Sequence, residues 1–159
     1  MKKTGFIIVL VAAAGIVSGI VLLYTKLMDR LEKLRDELQK QREFYTVLVR
    51  WIQLHNEGKR ITEYLIDHGY KKVAIYGMKE LGQCLFDEIN ASDNVCVGAI
   101  IDKNENFEYG GLKTVSPDAD LGDIDVVIIT AIHYYGEIED YLSDRVECPI
   151  ISIEDALFG

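Results

Sequence analysis

Three short apolar runs, separated by stretches with helical spacing, constrain the fold of this chain more than any other feature. The runs are Lys72–Tyr76 (KVAIY), Val95–Ile101 (VCVGAII) and Asp125–Thr130 (DVVIIT). Between the first two, Met78–Ile89 places its apolar residues at the spacing of a helix. Strands that are apolar almost throughout are typical of a parallel sheet buried on both faces. The pattern therefore predicts an alternating α/β fold.

The rest of the second half of the chain continues this alternation. The predicted elements are a helix from Phe44 to about Glu57, a helix from about Arg60 to Asp67, an edge strand at Leu112–Val115 after the turn-rich Lys103–Gly111, a helix starting at Ser116-Pro117, a helix around Glu137–Ser143 and a strand near Pro149–Ile153. Together they predict one domain, residues 44–159, with a doubly wound, Rossmann-like parallel sheet of about five strands.

A glycine motif joins the first predicted strand to its helix. Residues 77–82 read GMKELG, and Asp102 ends the second strand twenty residues later. In a dinucleotide site, such glycines shape a tight turn and a close helix contact, and the acid binds a ribose hydroxyl. We therefore predict that Gly77, Met78, Lys79, Gly82 and Asp102 bind a nucleotide-type ligand.

Lys79 occupies the place of the middle glycine of that motif. Its Cβ makes ordinary NAD binding doubtful, whereas its ammonium at a helix N-terminus is suited to a phosphate. The alternative interpretation is that Gly77 and Gly82 serve only the turn and the packing, and that Asp102 only caps a strand.

A second candidate wall follows the strongest predicted strand. Residues 130–136 read TAIHYYG. Open α/β sheets bind ligands at the carboxyl ends of their strands, so we expect Thr130, His133 and Tyr134 to face the same crevice as Gly77. The alternative is that His133 and Tyr134 are ordinary exposed loop residues beside a helix start.

The N-terminal part of the chain predicts a membrane anchor. Phe6–Tyr24 are 19 residues without a charge, and as a helix they reach about 28 Å, close to the hydrocarbon thickness of a bilayer. Cleavage as a signal peptide would leave the apolar Ile16–Tyr24 on the mature end, so we favour a single transmembrane helix in residues 1–24. The excess of Lys and Arg after the span predicts that the domain faces the cytoplasm.

Residues 25–43 predict a helical stalk. They contain no Gly or Pro, and larger residues recur at alternating steps of three and four, as in a coiled coil. These residues are Tyr24, Leu27, Leu31, Leu34, Leu38, Gln41, Tyr45, Leu48 and Ile52. We expect a homodimer through the stalk; the alternative is a single amphipathic helix that lies against its own domain.

Charge and cysteine content exclude some classes of function. Residues 61–159 hold 6 Lys and Arg against 20 Asp and Glu, so the domain repels nucleic acid, and no nucleic-acid partner is expected. The three cysteines, Cys84, Cys96 and Cys148, are far apart in the sequence. They form no metal-binding motif with the scattered histidines, and no metal site is predicted.

The stretch ITEYLIDHGYKKVAIYGMKELGQCLFDEI, followed by VGAIIDKN, a YGG turn, VSP and DIDVVIIT, carries a family resemblance. It resembles the Rossmann module of bacterial nucleoside-diphosphate-sugar epimerase/dehydratase-type proteins and of polysaccharide-biosynthesis proteins. The resemblance implies nucleotide or nucleotide-sugar binding beside membrane proteins of glycan synthesis, with Gly77, Gly82 and Asp102 in the matching positions.

The catalytic half of such dehydratases has no counterpart in this sequence. We therefore expect a non-catalytic, membrane-anchored binding or regulatory module at the cell membrane, with NAD(H), a nucleotide-sugar or CoA as candidate ligand. The alternatives are a protein-interaction scaffold that has lost ligand binding and an NAD-dependent oxidoreductase, for which a substrate-binding region is missing.

Overall fold

The computed structural model describes residues 2–104 and 107–159, and the side chains of that part from residue 17 onward. The chain divides into two compact units, Met1–Glu43 and Phe44–Gly159. The first helix, α1 (Lys2–Asn56), supplies residues to both units. Its last turns, residues 44–56, belong to the second unit, which is the α/β domain.

The domain alternates strands and helices in chain order. After α1 come α2 (Ile61–Asp67), β1 (Lys72–Tyr76), α3 (Glu80–Asn90), β2 (Cys96–Ile101), β3 (Glu108–Tyr109), β4 (Leu112–Val115), β5 (Val126–Ile129), a 3₁₀ turn (Ile132–Tyr134), α4 (Tyr135–Ser143), β6 (Ile150–Ser152) and α5 (Ile153–Phe158). This is the mixed α/β architecture that the sequence predicts.

The strands form one sheet in the order β3-β4-β2-β1-β5-β6. All neighbours pair in parallel except β3 and β4, which form an antiparallel hairpin. The central strands are buried on both faces, since Val73–Tyr76 and Val126–Ile129 are buried at every position. This explains why their sequences are apolar throughout rather than alternating.

Helices cover both faces of the sheet. On one face, Val73, Ile75, Ile100, Val126 and Ile128 pack into a core with α2, α3, α5 and the last turns of α1. On the other face, the core is built by alternate residues of the same strands, together with Leu142 of α4 and Ile124 before β5.

A buried glutamate ties three helices of the first face together. The side chain of Glu88 in α3 is only 7% exposed. Its carboxylate accepts hydrogen bonds from the Trp51 indole at 2.7 Å and from the Ile61 backbone N–H at the start of α2. The His55 ring nitrogen Nε2 lies 2.9 Å from the same carboxylate. Glu88 thereby satisfies donors of α1 and α2 that would otherwise be unpaired in the core.

The structure corrects the sequence prediction at three elements. No helix follows Ser116-Pro117: the Ser116 carbonyl and hydroxyl oxygens accept backbone N–H groups of Ala119 and Asp118, which closes a turn instead. The strand β3 pairs with β4, so the sheet has six strands rather than about five. The helix α5 was not predicted, although Ser152 and Asp155 form a capping box at its start.

Among the described residues, none of the helices is sufficiently long and apolar to cross a bilayer. The predicted span falls largely on residues whose side chains the structure does not describe, namely 6–14 and 16.

Replacement of Glu88 tests the tie between the helices. We expect Glu88→Ala to lower the free energy of unfolding by about 3 kcal/mol, because it leaves the Trp51 and Ile61 donors buried and unpaired. The matched control is Glu63→Ala on the exposed side of α2, for which we expect a change below about 0.5 kcal/mol. Urea denaturation followed by circular dichroism measures both values; equal effects would contradict the role of Glu88.

Candidate functional site

The carboxyl ends of three adjacent strands open into one cleft. In the sheet order, β2 lies on one side of β1 and β5 on the other, so the connections after β1 and β5 diverge at this point. A cleft of about 820 Å³ lies there. Gly77 after β1, Asp102 after β2 and Thr130 after β5 all line it. Such a divergence of strand order is where open α/β sheets bind their ligands.

Gly77 makes the turn that leads from β1 into this cleft. Its φ of +91° is a conformation that favours glycine. Its N–H donates to the Ile101 carbonyl oxygen of β2 at 2.9 Å, and its carbonyl oxygen accepts the Thr130 hydroxyl of β5 at 2.7 Å. The turn is therefore fixed from both neighbouring strands.

Gly82 allows α3 to lie directly on that turn. A Cβ at position 82 would sit 2.1 Å from the Gly77 carbonyl oxygen and 3.3 Å from the Thr130 hydroxyl oxygen. Gly82 is buried in the packing of α3 against β1 and does not line the cleft. Its role in the described structure is close packing, one of the two functions that the motif predicts.

Lys79 is the N-cap residue of α3, and its side chain is exposed at the cleft. Its backbone has φ −79° and ψ −161°, which any residue adopts, so the loop does not require the middle glycine. The Lys79 side chain makes no capping hydrogen bond at this helix start. The Lys79 side chain therefore starts at the N-terminal end of α3, which is the positive end of the helix dipole.

Asp102 and Met78 contact each other across the end of the sheet. Met78 is buried, at 4% exposure, and its N–H donates to Asp102 Oδ2 at 3.1 Å. The other oxygen, Oδ1, accepts the Asn104 N–H at 3.0 Å. Asp102 therefore holds the loop after β1 to the end of β2. Each carboxylate oxygen has a second lone pair to offer to a ligand.

The residues that follow β5 form one wall of the cleft. Thr130 is buried, and the 3₁₀ turn carries Ile132, half-buried His133 and exposed Tyr134 along the cleft. Of the predicted site residues, the structure brings Gly77, Lys79, Asp102, Thr130 and His133 together in the lining and places Met78 and Gly82 behind it.

Other lining residues were not predicted from the sequence. They are Phe44, Tyr76, Glu80, Leu81, Lys103, Ser116, Pro117, Asp118, Glu137, Ile138 and Tyr141. Ser116 follows β4, so the rule for carboxyl ends of parallel strands would have found it. Phe44 comes from α1, and no local sequence signal places it at this cleft.

The turn after β4 is joined to α4. The Tyr141 hydroxyl donates to the Asp118 carboxylate, and the Arg145 guanidinium lies 3.6 Å from that carboxylate and over the Tyr141 ring. The hydrogen bond to Asp118 raises the pKa of Tyr141. These contacts complete the cleft wall where a predicted helix is absent.

The charges and hydroxyls of the cleft define the ligand that it suits. Carboxylates of Glu80, Asp102, Asp118 and Glu137 outnumber the ammonium groups of Lys79 and Lys103. Burial, then the nearby Asp102 carboxylate, raises the pKa of Tyr76 above its ordinary value. The cleft thus has a predominantly acidic lining, with its two ammonium groups contributed by Lys79 and Lys103.

No group of three or more His, Cys, Asp and Glu residues that could hold a metal ion occurs in the described part of the chain.

Substitution of two glycines tests the packing at the cleft. We expect Gly82→Ala to lower the free energy of unfolding by about 3 kcal/mol, because its Cβ meets the backbone oxygen of Gly77. The control is Gly136→Ala in α4, where a Cβ has open space; there we expect a gain of roughly 0.5 kcal/mol. Thermal and urea unfolding provide the comparison, and a tolerated Gly82→Ala would disprove the close contact.

Comparison with known proteins finds one family and no curated relative. No curated protein matches the chain significantly. The sequence model of the C2185-like, N-terminal family matches residues 69–149, about half of the chain. The match begins just before β1, ends just before β6 and contains every strand end that lines the cleft. The chain belongs to the C2185-like, N-terminal family.

Proposed function

We propose that the α/β domain is a non-catalytic module that binds a nucleotide-type ligand in the cleft at the carboxyl ends of β1, β2 and β5. The observation that carries this proposal is the meeting of three features in one cleft: the Gly77 turn, the start of α3 with Lys79, and the Asp102 carboxylate. Two of these features have a matching group in a nucleotide, namely a phosphate for the helix start and ribose hydroxyls for the acid.

The strand order supports a Rossmann-like assignment as part of the proposal. When only the parallel strands are counted, the order β4-β2-β1-β5-β6 reads 3-2-1-4-5. That is the order in which dinucleotide-binding sheets place their ligand beside the first strand. In this chain the cleft lies beside the same strand.

The start of α3 is suited to a phosphate. The side chain of its N-cap residue, Lys79, does not cap the first-turn N–H groups, and the helix dipole favours an anion at this end. The Lys79 ammonium adds a formal positive charge at the same place. In the usual motif the middle glycine lets the backbone come close to the phosphate. In this chain Lys79 occupies that place, and its ammonium would contact the phosphate instead.

The remaining cleft suits the rest of a nucleotide. Its volume of about 820 Å³ falls within the range of small-molecule sites. Leu81, Pro117 and Ile132 offer apolar surface for a base, while Asp102 and Asp118 accept hydrogen bonds from hydroxyl or amino groups.

A protein-interaction scaffold without a ligand is the second candidate. Both Asp102 oxygens already accept backbone N–H groups, and carboxylates predominate in the lining. These two observations favour a cleft whose glycines and acid serve only the fold. Ligand binding separates the two candidates.

The setting of the module also belongs to the proposal. The uncharged residues 6–24 support a membrane tether. The excess of Lys and Arg after these residues favours a domain on the cytoplasmic side. The resemblance to polysaccharide-biosynthesis modules supports a partner in glycan synthesis.

Thermal unfolding in the presence of ligands tests the proposed function. The full-length protein in detergent is heated with millimolar NAD(H), UDP-sugars, nucleotides or CoA, one at a time. We expect one class to raise the melting temperature by about 4 °C, because a ligand selective for the folded state stabilises it by mass action. No shift with any class would contradict the binding proposal and favour the scaffold.

Lys79 variants then test the phosphate position. With the ligand that shifts the melting temperature, Lys79→Ala should weaken binding about three- to tenfold through loss of one exposed charge contact. The matched control is Lys113→Ala on β4, which is exposed and outside the cleft lining, and should leave the affinity unchanged. Equal affinities for wild type and Lys79→Ala in isothermal titration would remove Lys79 from the site.

A further inference from the structure

A row of exposed apolar side chains runs along α1 at heptad spacing. We call this row the stalk stripe; it consists of Leu27, Leu31, Leu34, Leu38, Tyr45 and Ile52. Each of these side chains is between 51% and 70% exposed in the single chain. Large apolar side chains repeated at this spacing are costly to leave in water and indicate a partner surface.

The packing of the α/β domain leaves its part of the stripe uncovered. Within residues 44–56, the domain buries Val47, Trp51 and Leu54. Tyr45 and Ile52, seven residues apart and therefore on one helix face, are exposed. Leu48, the d position between them, packs in part against the domain core, so the domain leaves only the a positions of this segment, Tyr45 and Ile52, exposed.

We propose that the stalk stripe packs against the same stripe of a second copy of this chain, in a parallel two-stranded coiled coil. The steps of three and four place the stripe at a and d positions, where each side chain fits between four residues of an identical helix. This inference concerns α1 alone and does not depend on a ligand in the cleft.

Charges that flank the stripe divide evenly in a parallel pair, since Glu37 attracts Arg42 whereas Arg30 repels Arg35. In the parallel arrangement Glu37 at a g position meets Arg42 at the following e position of the other copy. The same arrangement pairs like residues across the axis, so Gln41 meets Gln41 and the uncharged residues 17–24 meet each other. An antiparallel pair would instead place those uncharged residues beside residues 45–52.

A membrane surface fits the stripe less well than a second copy. A helix that lies on a bilayer carries a polar face rich in Lys and Arg. Residues 25–43 carry six Lys and Arg and five Asp and Glu, so their polar faces are nearly neutral, as expected for a solvated coiled coil.

The mass of the full-length protein in detergent, measured by light scattering after size exclusion, tests this proposal. We expect a dimer for the wild type and a monomer for Leu31→Ser/Leu38→Ser, which removes two central a-position leucines. The matched control Asp29→Ser/Asp36→Ser changes the opposite face of the same turns and should remain dimeric. Circular dichroism verifies that each variant keeps its helix content. A monomeric wild type, or a dimer that survives the leucine substitutions, would overturn the proposal.

Arg30→Glu tests the parallel orientation. Arg30 at a g position faces Arg35 of the other copy when the helices are parallel, so its replacement turns two repulsive pairs into attractive ones. We expect the dimer to dissociate at about threefold lower concentration. Arg30→Glu/Arg35→Glu restores like charges and should cancel the gain. In an antiparallel dimer the introduced glutamate would face Glu37, so a weaker dimer would overturn the parallel arrangement.

Discussion

The contact between the first turn of α3 and the Gly77 carbonyl oxygen is the constraint on which the cleft depends. A Cβ at Gly82 would come within 2.1 Å of that oxygen, so α3 approaches β1 this closely only because residue 82 is a glycine. The Thr130 hydroxyl donates to the same oxygen, and the Gly77 N–H donates to Ile101 of β2. Three strand ends are thereby held around one turn, and the start of α3 is aimed at the space between them.

The two faces of the sheet make different contributions to this arrangement. One face is a thick core in which Glu88 satisfies donors of α1 and α2, which fixes α3 from behind. The other face has α4 but no helix between β4 and β5. There the turn at Ser116–Asp118 itself becomes a wall of the cleft, and Tyr141 holds it in place. The face with Glu88 thus positions the start of α3, and the face with α4 shapes the opening of the cleft.

Much of the fold could be predicted because its strands are buried on both faces and read as continuous apolar runs. Lys72–Tyr76 and Leu112–Val115 begin and end where the sequence predicts. The absent helix after Ser116 could not be predicted, since a Ser-Pro pair starts turns as readily as helices and the choice depended on Tyr141 and Arg145, remote in sequence. The position of Phe44 in the cleft and the burial of Met78 likewise depend on tertiary packing. Gly82 belongs to a ligand motif in the sequence, yet the structure gives it a packing role.

The central claim is that the start of α3 receives the anionic part of a nucleotide-type ligand. A ¹⁵N NMR titration of the full-length protein, with NAD(H) and a UDP-sugar as probes, tests it most directly. The account predicts that the amide resonances of Met78, Lys79 and Glu80 shift with saturation, while those of Lys71 and Lys72 at the opposite end of β1 stay unchanged. Saturable shifts confined to other parts of the domain, or no shifts with either probe, would contradict it.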